Sequence, residues 1–278
     1  MDNCLGVLVN KNNDNNFGGL CENRPSYMLP YGGRYRLIDI SISNLVNHGV
    51  KTIALYTGDK VRSSIDHLGD GKPWELNRRF SGLSLFPPSY EDRYQLGNLS
   101  DIDQLYSTEI FFQSSKEKYV FIADPNIIAK VDLSDAYKSF IQSDSDITFI
   151  YKEQDDPRGD YVNYDKIHID GDGKFTNMGL NLGIEKIFNL SMGMYFIKKD
   201  VLLSLINKAI EKGNARSLKE IILKSKNNLK RNTYEFKGHV EFIDDLISYY
   251  NAKLNLVKPD SYKEIFFHQG IIYTKAKD

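Results

Sequence analysis

Two cysteines, Cys4 and Cys21, are too few to staple a chain of 278 residues, so a disulfide-built scaffold is excluded and both thiols are expected to pack as ordinary side chains. No apolar run approaches the roughly 20 residues that a membrane-spanning helix needs. Met1-Asp2-Asn3-Cys4 opens neither a basic nor a long apolar leader. The cytoplasm is therefore the expected compartment, and no membrane is expected as a partner. An excess of one charge is also missing, since 36 Lys and Arg face 37 Asp and Glu for a net charge of −1. A dedicated nucleic-acid-binding domain would carry a basic surplus, so no nucleic acid is expected either. The common catalytic signatures G-x-G-x-x-G, P-loop, G-x-S-x-G and H-E-x-x-H are absent. His48, His67, His168, His239 and His268 lack metal-ligand spacing, and each is read as structural or exposed. No internal repeat is visible.

What is present is a globular composition, with 41% hydrophobic and 26% charged residues. The length fits one large α/β domain or two of roughly 150 residues. Cys4 to Val9 reads as a buried strand. Asn10 to Asn16 follows with five Asn in seven residues, a run that cannot bury apolar surface and is expected as a solvated loop. Arg24 to Gly33 reads as an extended segment closing in a glycine turn. Apolar residues at 37, 38, 42, 45 and 46 predict a helix stopping near Gly49. Strands at 52–56, 119–123 and 147–151 alternate with helices at 61–68, 101–115 and 133–141. That alternation implies a mostly parallel sheet covered on both faces.

Beyond residue 151 the texture changes. Lys166–Ile169 and Phe175–Met178 flank Asp170-Gly171-Asp172-Gly173, a hairpin signal. It is not a calcium loop, because Lys174 and Phe175 stand where the next ligand and the glycine belong. A strand over 192–197 and helices at 201–211, 217–224 and 243–256 complete the reading. Residues 257–278 show no helical period and contain Pro259, so they are read as a linker or tail leaving a domain that spans 1–256.

Two places carry visible chemistry. Gly32-Gly33-Arg34-Tyr35-Arg36 leads into a helix, where glycine backbone, a helix N-terminus and two arginines suit a phosphate. The competing reading, at even weight, makes Arg34 and Arg36 half-buried ion-pair residues with Asp39 as partner. Asp124 stands directly after the strand ending at Ala123, where a carboxylate can hold Mg²⁺ for phosphoryl chemistry. One carboxylate alone is not a site.

Leu29-Pro30-Tyr31-Gly32-Gly33-Arg34-Tyr35-Arg36-Leu37-Ile38-Asp39, with Ser43-Asn44 after it, resembles the bacterial glucose-1-phosphate adenylyltransferases (ADP-glucose pyrophosphorylases). Asp66-His67-Leu68-Gly69, Gly71 to Leu76, Phe86-Pro87-Pro88, Ser191 to Phe196 and Leu246 to Leu256 extend the likeness in order. The resemblance implies a Rossmann-like (GT-A-like) nucleotidyltransferase domain with a mostly parallel mixed sheet. The left-handed β-helix that follows in the family has no counterpart before the chain stops.

The departures bear on the activity. Where the family has G-G-x-G-x-R-L, this chain has the Asn-rich loop, with Gly18 and Gly19 alone near Leu20. Where it has R-A-K-P, Arg24-Pro25-Ser26-Tyr27 puts Ser26 in place of a lysine. Alignment on Ile127-Ile128 puts Pro125, not Asp124, at the metal-binding position, and the aspartate of D-V-G-T falls on Phe242, with Asp244 and Asp245 shifted. The E-K-P motif is missing around Asn177–Leu180, and S-H-D-F-G has become Ala215–Lys219. Loss of one such group costs orders of magnitude in rate. The resemblance thus implies a regulatory, catalytically impaired subunit in glycogen biosynthesis, partnered with a catalytic glucose-1-phosphate adenylyltransferase subunit. A sugar-phosphate or nucleotide ligand is a second expected partner, bound among Gly18, Gly19, Arg24, Ser26, Gly32, Gly33, Arg34, Arg36 and Asp124. No cofactor is required on this reading. The other reading is a weakly active transferase in which Asp124 holds Mg²⁺, or a sensor of sugar nucleotides without turnover.

Overall fold

The computed structural model describes residues 1–11, 13–79, 81–88, 100–171, 173–213, 217–225 and 229–276. Strand β1 (Cys4–Val9) is buried on both sides, sending Cys4 and Leu8 to one face and Leu5 and Val7 to the other. Short strands β2 (Pro30–Tyr31) and β3 (Tyr35–Arg36) pair antiparallel around Gly32 and Gly33, whose φ of 58° and 84° an L side chain rarely adopts. Helix α1 (Leu37–Asn47) follows, placing Ile38, Ile42 and Leu45 in the core beneath the sheet. Burial of each such side chain stabilises by about 1.5–3 kcal/mol. The alternation then runs through β4 (Thr52–Tyr56), α2 (Val61–Leu68) and β5 (Gly82–Phe86). It continues with α3 (Asp101–Ser107), α4 (Glu109–Ser114), β6 (Tyr119–Ala123), β7 (Ile127–Ala129) and α5 (Leu133–Gln142).

The second half holds β8 (Ile147–Asp155), β9 (Asp165–Ile169), β10 (Phe175–Leu180) and the long β11 (Ile187–Lys198). Helices α6 (Lys199–Lys212) and α7 (Leu218–Lys224) precede β12 (Arg231–Glu235) and β13 (Val240–Phe242), and α8 (Leu246–Asn255) and α9 (Pro259–Phe267) end the fold. Among the described residues the main sheet has order β10-β9-β11-β6-β1-β4-β5, with β8 on β11 and β12 on β8. Strands β5, β4, β1 and β6 run parallel, and β11 pairs antiparallel with β6, β8 and β9. This is the mixed α/β nucleotidyltransferase-type sheet that the sequence implies, and the described residues contain no β-helix.

Four expectations change. The Asn-rich run is not a loose loop: its second half enters a 3₁₀ turn over Asp14–Cys21 that buries Phe17 and Cys21. Asn13 and Asn16 tie it to Asp244, and Asp14 accepts the Ser26 N–H at 2.8 Å. The run over 101–115 is two helices, because Thr108 leaves helical geometry at φ −112°, ψ 19°. Strands β5, β7, β12 and β13 were not expected. The polar β12 exists through its pairing with β8, which overrides its weak local preference.

The segment after residue 256 does not leave the domain. Pro259 stands in the first turn of α9, where its missing N–H has no partner to lose. Ile265 and Ile272 then pack with Tyr31, Leu37 and Ile40. Asn47 Nδ2 holds the carbonyls of Gln269 and Ile271, Thr274 Oγ1 donates to Asp39, and Lys275 donates to the Asp66 carbonyl.

Candidate functional site

Adjacent parallel strands end side by side, and their first loops open a cleft. Leu8 of β1 is level with Ala123 of β6, so Asn10 and Lys11 emerge next to Asp124. A cavity of about 1090 Å³ begins there and is roofed by the start of α3, the end of α6 and the start of α7. Its fourth wall is β11, where the register shifts between Ser191 and Met194. That bulge, with Gly193 at φ 59°, turns Ser191, Gly193 and Tyr195 toward the cavity. The volume suits a ligand at or above the upper end of the ~300–1,000 Å³ range of small-molecule sites.

Asp124 is the most constrained group in the cleft. Its side chain is 3% exposed, and burial raises its pKa against the opposing pull of Lys11 and the Asn126 N–H. Lys11 Nζ lies 3.2 Å from Asp124 Oδ2, reaching in on a side chain that is 52% exposed. Burial opposes the Lys11 charge, yet Asp124, Asp244 and Asp165 outweigh it and raise the pKa. Asp244 completes the group through Tyr164, whose hydroxyl donates to Oδ2 at 2.8 Å. Asp124 Oδ2 and Asn126 Oδ1 are buried without an aligned hydrogen bond.

The other charged groups of the cleft are also engaged. Lys219 Nζ holds both oxygens of Asp165 at 2.8 and 2.9 Å. Asp101 accepts the Leu218 N–H at 3.0 Å, and burial raises its pKa against that bond. Burial, with Asp101 beside it, also holds the Tyr195 phenol well above its ordinary value, so it remains a donor at neutral pH. Among the described lining residues Asp101, Asp103, Asp124 and Asp165 oppose only Lys11 and Lys219. A polyphosphate entering such a cleft meets net negative charge and two lysines already paired.

Of the residues expected from sequence, Asp124 alone lines this cavity. Gly18 and Gly19 sit exposed at the kink of the 3₁₀ turn, and Arg24 is half-buried near it. Ser26 is fully buried and spends its hydroxyl on Asn13 Oδ1. Gly32 packs flat against Phe266, a contact that any Cβ would break, and Gly33 is exposed beside it. Arg34 lies over the Tyr35 ring at 5.5 Å. The expected pairing of Arg36 with Asp39 runs through the Arg36 backbone N–H, while the guanidinium donates to the Met28 carbonyl at 3.1 Å. Asp39 itself is shared with His67 at 2.7 Å and Thr274 at 2.6 Å. Ala215 and Arg216 lie outside the described residues, as do Asn12 and Asp172, whereas Ser217 caps α7 and Lys219 lines the cleft.

Sequence reasoning missed Lys11, and it named Asp244 only as shifted from the place of the D-V-G-T aspartate. Lys11 is the sole basic residue between Val9 and Arg24, a signal that was available. In phosphoryl chemistry Mg²⁺ is held by one or two carboxylates together with substrate phosphates and water. Among the described residues no group of three or more Asp, Glu, His or Cys could hold a metal ion. The Lys11 ammonium, 3.2 Å from Asp124 Oδ2, competes with any Mg²⁺ for that carboxylate.

The sheet and cleft define a nucleotidyltransferase-type domain. The nucleotidyl transferase family profile matches residues 17–240, and the chain belongs to that family. It is 26% identical over 274 residues to the glycogen biosynthesis protein GlgD of Bacillus subtilis (strain 168), covering 99% of this chain and 69% of that protein. GlgD of Geobacillus stearothermophilus is 34% identical over 134 residues, 47% of this chain and 38% of that protein. The glucose-1-phosphate adenylyltransferase of Bacillus subtilis (strain 168) is 24% identical over 279 residues, 98% of this chain and 72% of that protein. The resemblance drawn from the Leu29–Asp39 run therefore holds. No helix among the described residues is long and apolar enough to cross a membrane.

Proposed function

We propose that this chain is a regulatory, catalytically impaired member of the glucose-1-phosphate adenylyltransferase group, acting in glycogen biosynthesis on a catalytic subunit that makes ADP-glucose. The observation that carries the reading is the Lys11–Asp124 pair. A cleft is present at the ends of β1 and β6, yet an internal ammonium faces its buried carboxylate and its second lysine is held by Asp165. Such a cleft has little to offer a triphosphate whose developing charge needs free cations. The likeness to two GlgD proteins supports the pathway, and the cytoplasm is the compartment it implies. On this reading no metal is required at Asp124.

A partner subunit is part of the proposal. Mixing the purified chain with a catalytic relative and following both co-elution and ADP-glucose production tests it. Co-elution with an altered rate or effector response supports a regulatory subunit, and an unaltered rate with separate elution contradicts it. One observation favours the second reading, a weak transferase with a rearranged site. Asp124 Oδ2 and Asn126 Oδ1 are buried acceptors without an aligned hydrogen-bond donor, a demand that a cation could meet if Lys11 withdrew. That reading requires turnover by the chain alone, lost in Asp124→Ala.

A further inference from the structure

A second large cavity lies at the opposite end of the parallel strands. Its floor is the start of β4 and β5, with Thr52, Ser81 and Ser84, and one wall is the end of α4 with Ser114 and Ser115. It measures about 780 Å³. The charge balance is the reverse of the cleft's. Arg78, Arg79 and Lys116 line it against one acid, Glu117, among the described residues. Glu117 already accepts the Thr52 hydroxyl at 2.5 Å.

We propose that this cavity is a binding site for a phosphate-bearing small molecule, held by Arg78, Arg79 and Lys116 and by the hydroxyls of Ser81 and Ser84. Guanidinium groups match phosphate oxygens in pairs, and the hydroxyls of Ser81 and Ser84 line the same cavity as further donors. Arg78 is oriented for this by its own Nε, which donates to the Glu75 carbonyl at 3.0 Å. The carbonyls that end α4 would repel an anion if left bare, but they are satisfied. Ser114 Oγ donates to Phe111, Ser115 Oγ donates to Phe112, and Lys199 Nζ donates to the Ser115 carbonyl at 2.7 Å. The site is also connected to the cleft. Helices α3 and α4 adjoin at Thr108, so α3 lines the cleft while α4 lines the second cavity. A phosphate-bearing ligand has its electrostatic home here, in the positively lined cavity, and not in the acid-rich cleft.

Isothermal titration of the whole chain with inorganic phosphate, pyrophosphate and glycerol 3-phosphate, against chloride at matched ionic strength, tests this. Free phosphate and a phosphate ester are thereby separated. The expected result is saturable one-site binding of at least one probe. It weakens tenfold or more in Arg78→Glu/Arg79→Glu and is unchanged in Lys219→Ala. Both arginines are exposed, and circular dichroism checks that the double variant folds. If that variant is unfolded, Lys116→Glu takes its place with the same expected loss. Absence of saturable binding at millimolar probe, or binding lost in Lys219→Ala and kept in the arginine variant, overturns the proposal.

Discussion

Lys11 Nζ and Asp124 Oδ2 face each other at 3.2 Å, just beyond the ends of two neighbouring parallel strands. A carboxylate with 3% of its side chain exposed needs a counter-charge, and this chain supplies one from its own first loop. Lys11→Met should leave Asp124 buried and unpaired, lowering stability by about 1–2 kcal/mol, since the half-exposed lysine is partly screened. Lys11→Met/Asp124→Asn should recover part of that loss. Urea unfolding of the double-mutant cycle measures both; a Lys11→Met midpoint equal to the parent's contradicts the pairing.

Lys130 gives a pH dependence with a definite sign. It is 6% exposed, donates to the Gly270 carbonyl at 3.1 Å, and burial lowers its pKa to about 8 from 10.5. Below about pH 8 both folded and unfolded chains carry the ammonium, and the folded state bears its desolvation. Between about 8 and 10.5 the unfolded chain still binds a proton that the folded chain has lost. Lys130 therefore makes stability rise with pH across that window, by up to about 3 kcal/mol. The difference in unfolding free energy between the parent and Lys130→Met, followed from pH 7 to 10.5, reads this contribution directly. A difference independent of pH contradicts it.

Ser43 joins the docked C-terminal segment to the core. Its hydroxyl accepts from the Trp74 indole N–H at 3.2 Å and from the Tyr273 N–H at 2.9 Å. Ser43→Ala orphans both donors and should cost about 2 kcal/mol. Trp74 is the sole tryptophan, so its fluorescence reports the change. Hydrogen exchange at Tyr273 should accelerate at the same time, and unchanged protection there would mean the segment is held by its other contacts.

The charge of the cleft can be altered at one bond. Asp165→Asn removes an acid and releases Lys219 from its two-oxygen grip. Affinity for ATP should rise threefold to tenfold, as expected when one lining acid is removed and one lysine is freed in a partly screened site. Calorimetry on the parent and variant, at fixed salt, tests whether pairing is what withholds the lysine.

Much of the parallel half was legible because runs such as Thr52–Tyr56 and Tyr119–Ala123 are buried on both faces and read as continuous apolar segments. Asp124 was legible for the same reason, since the strand that positions it was clear. Helix α9 was not, because Pro259 looks like a breaker until its place in the first turn is known. The partners of Gly32, Arg36 and Ser26 were hidden as well. Phe266, the Met28 carbonyl and Asn13 are brought to them by packing, which no local pattern encodes. Lys11 belongs to the same class: the spacing of 113 residues to Asp124 carries no periodic signal, and only the adjacency of β1 and β6 joins them.

The most direct test is ADP-glucose formation from ATP and glucose 1-phosphate with Mg²⁺ by the purified chain alone, with the same preparation then mixed with a catalytic relative. The account predicts no product above background alone and a changed rate in the mixture. Robust turnover by the chain alone, abolished in Asp124→Ala, would contradict it and make the Lys11–Asp124 pair part of a rebuilt active site.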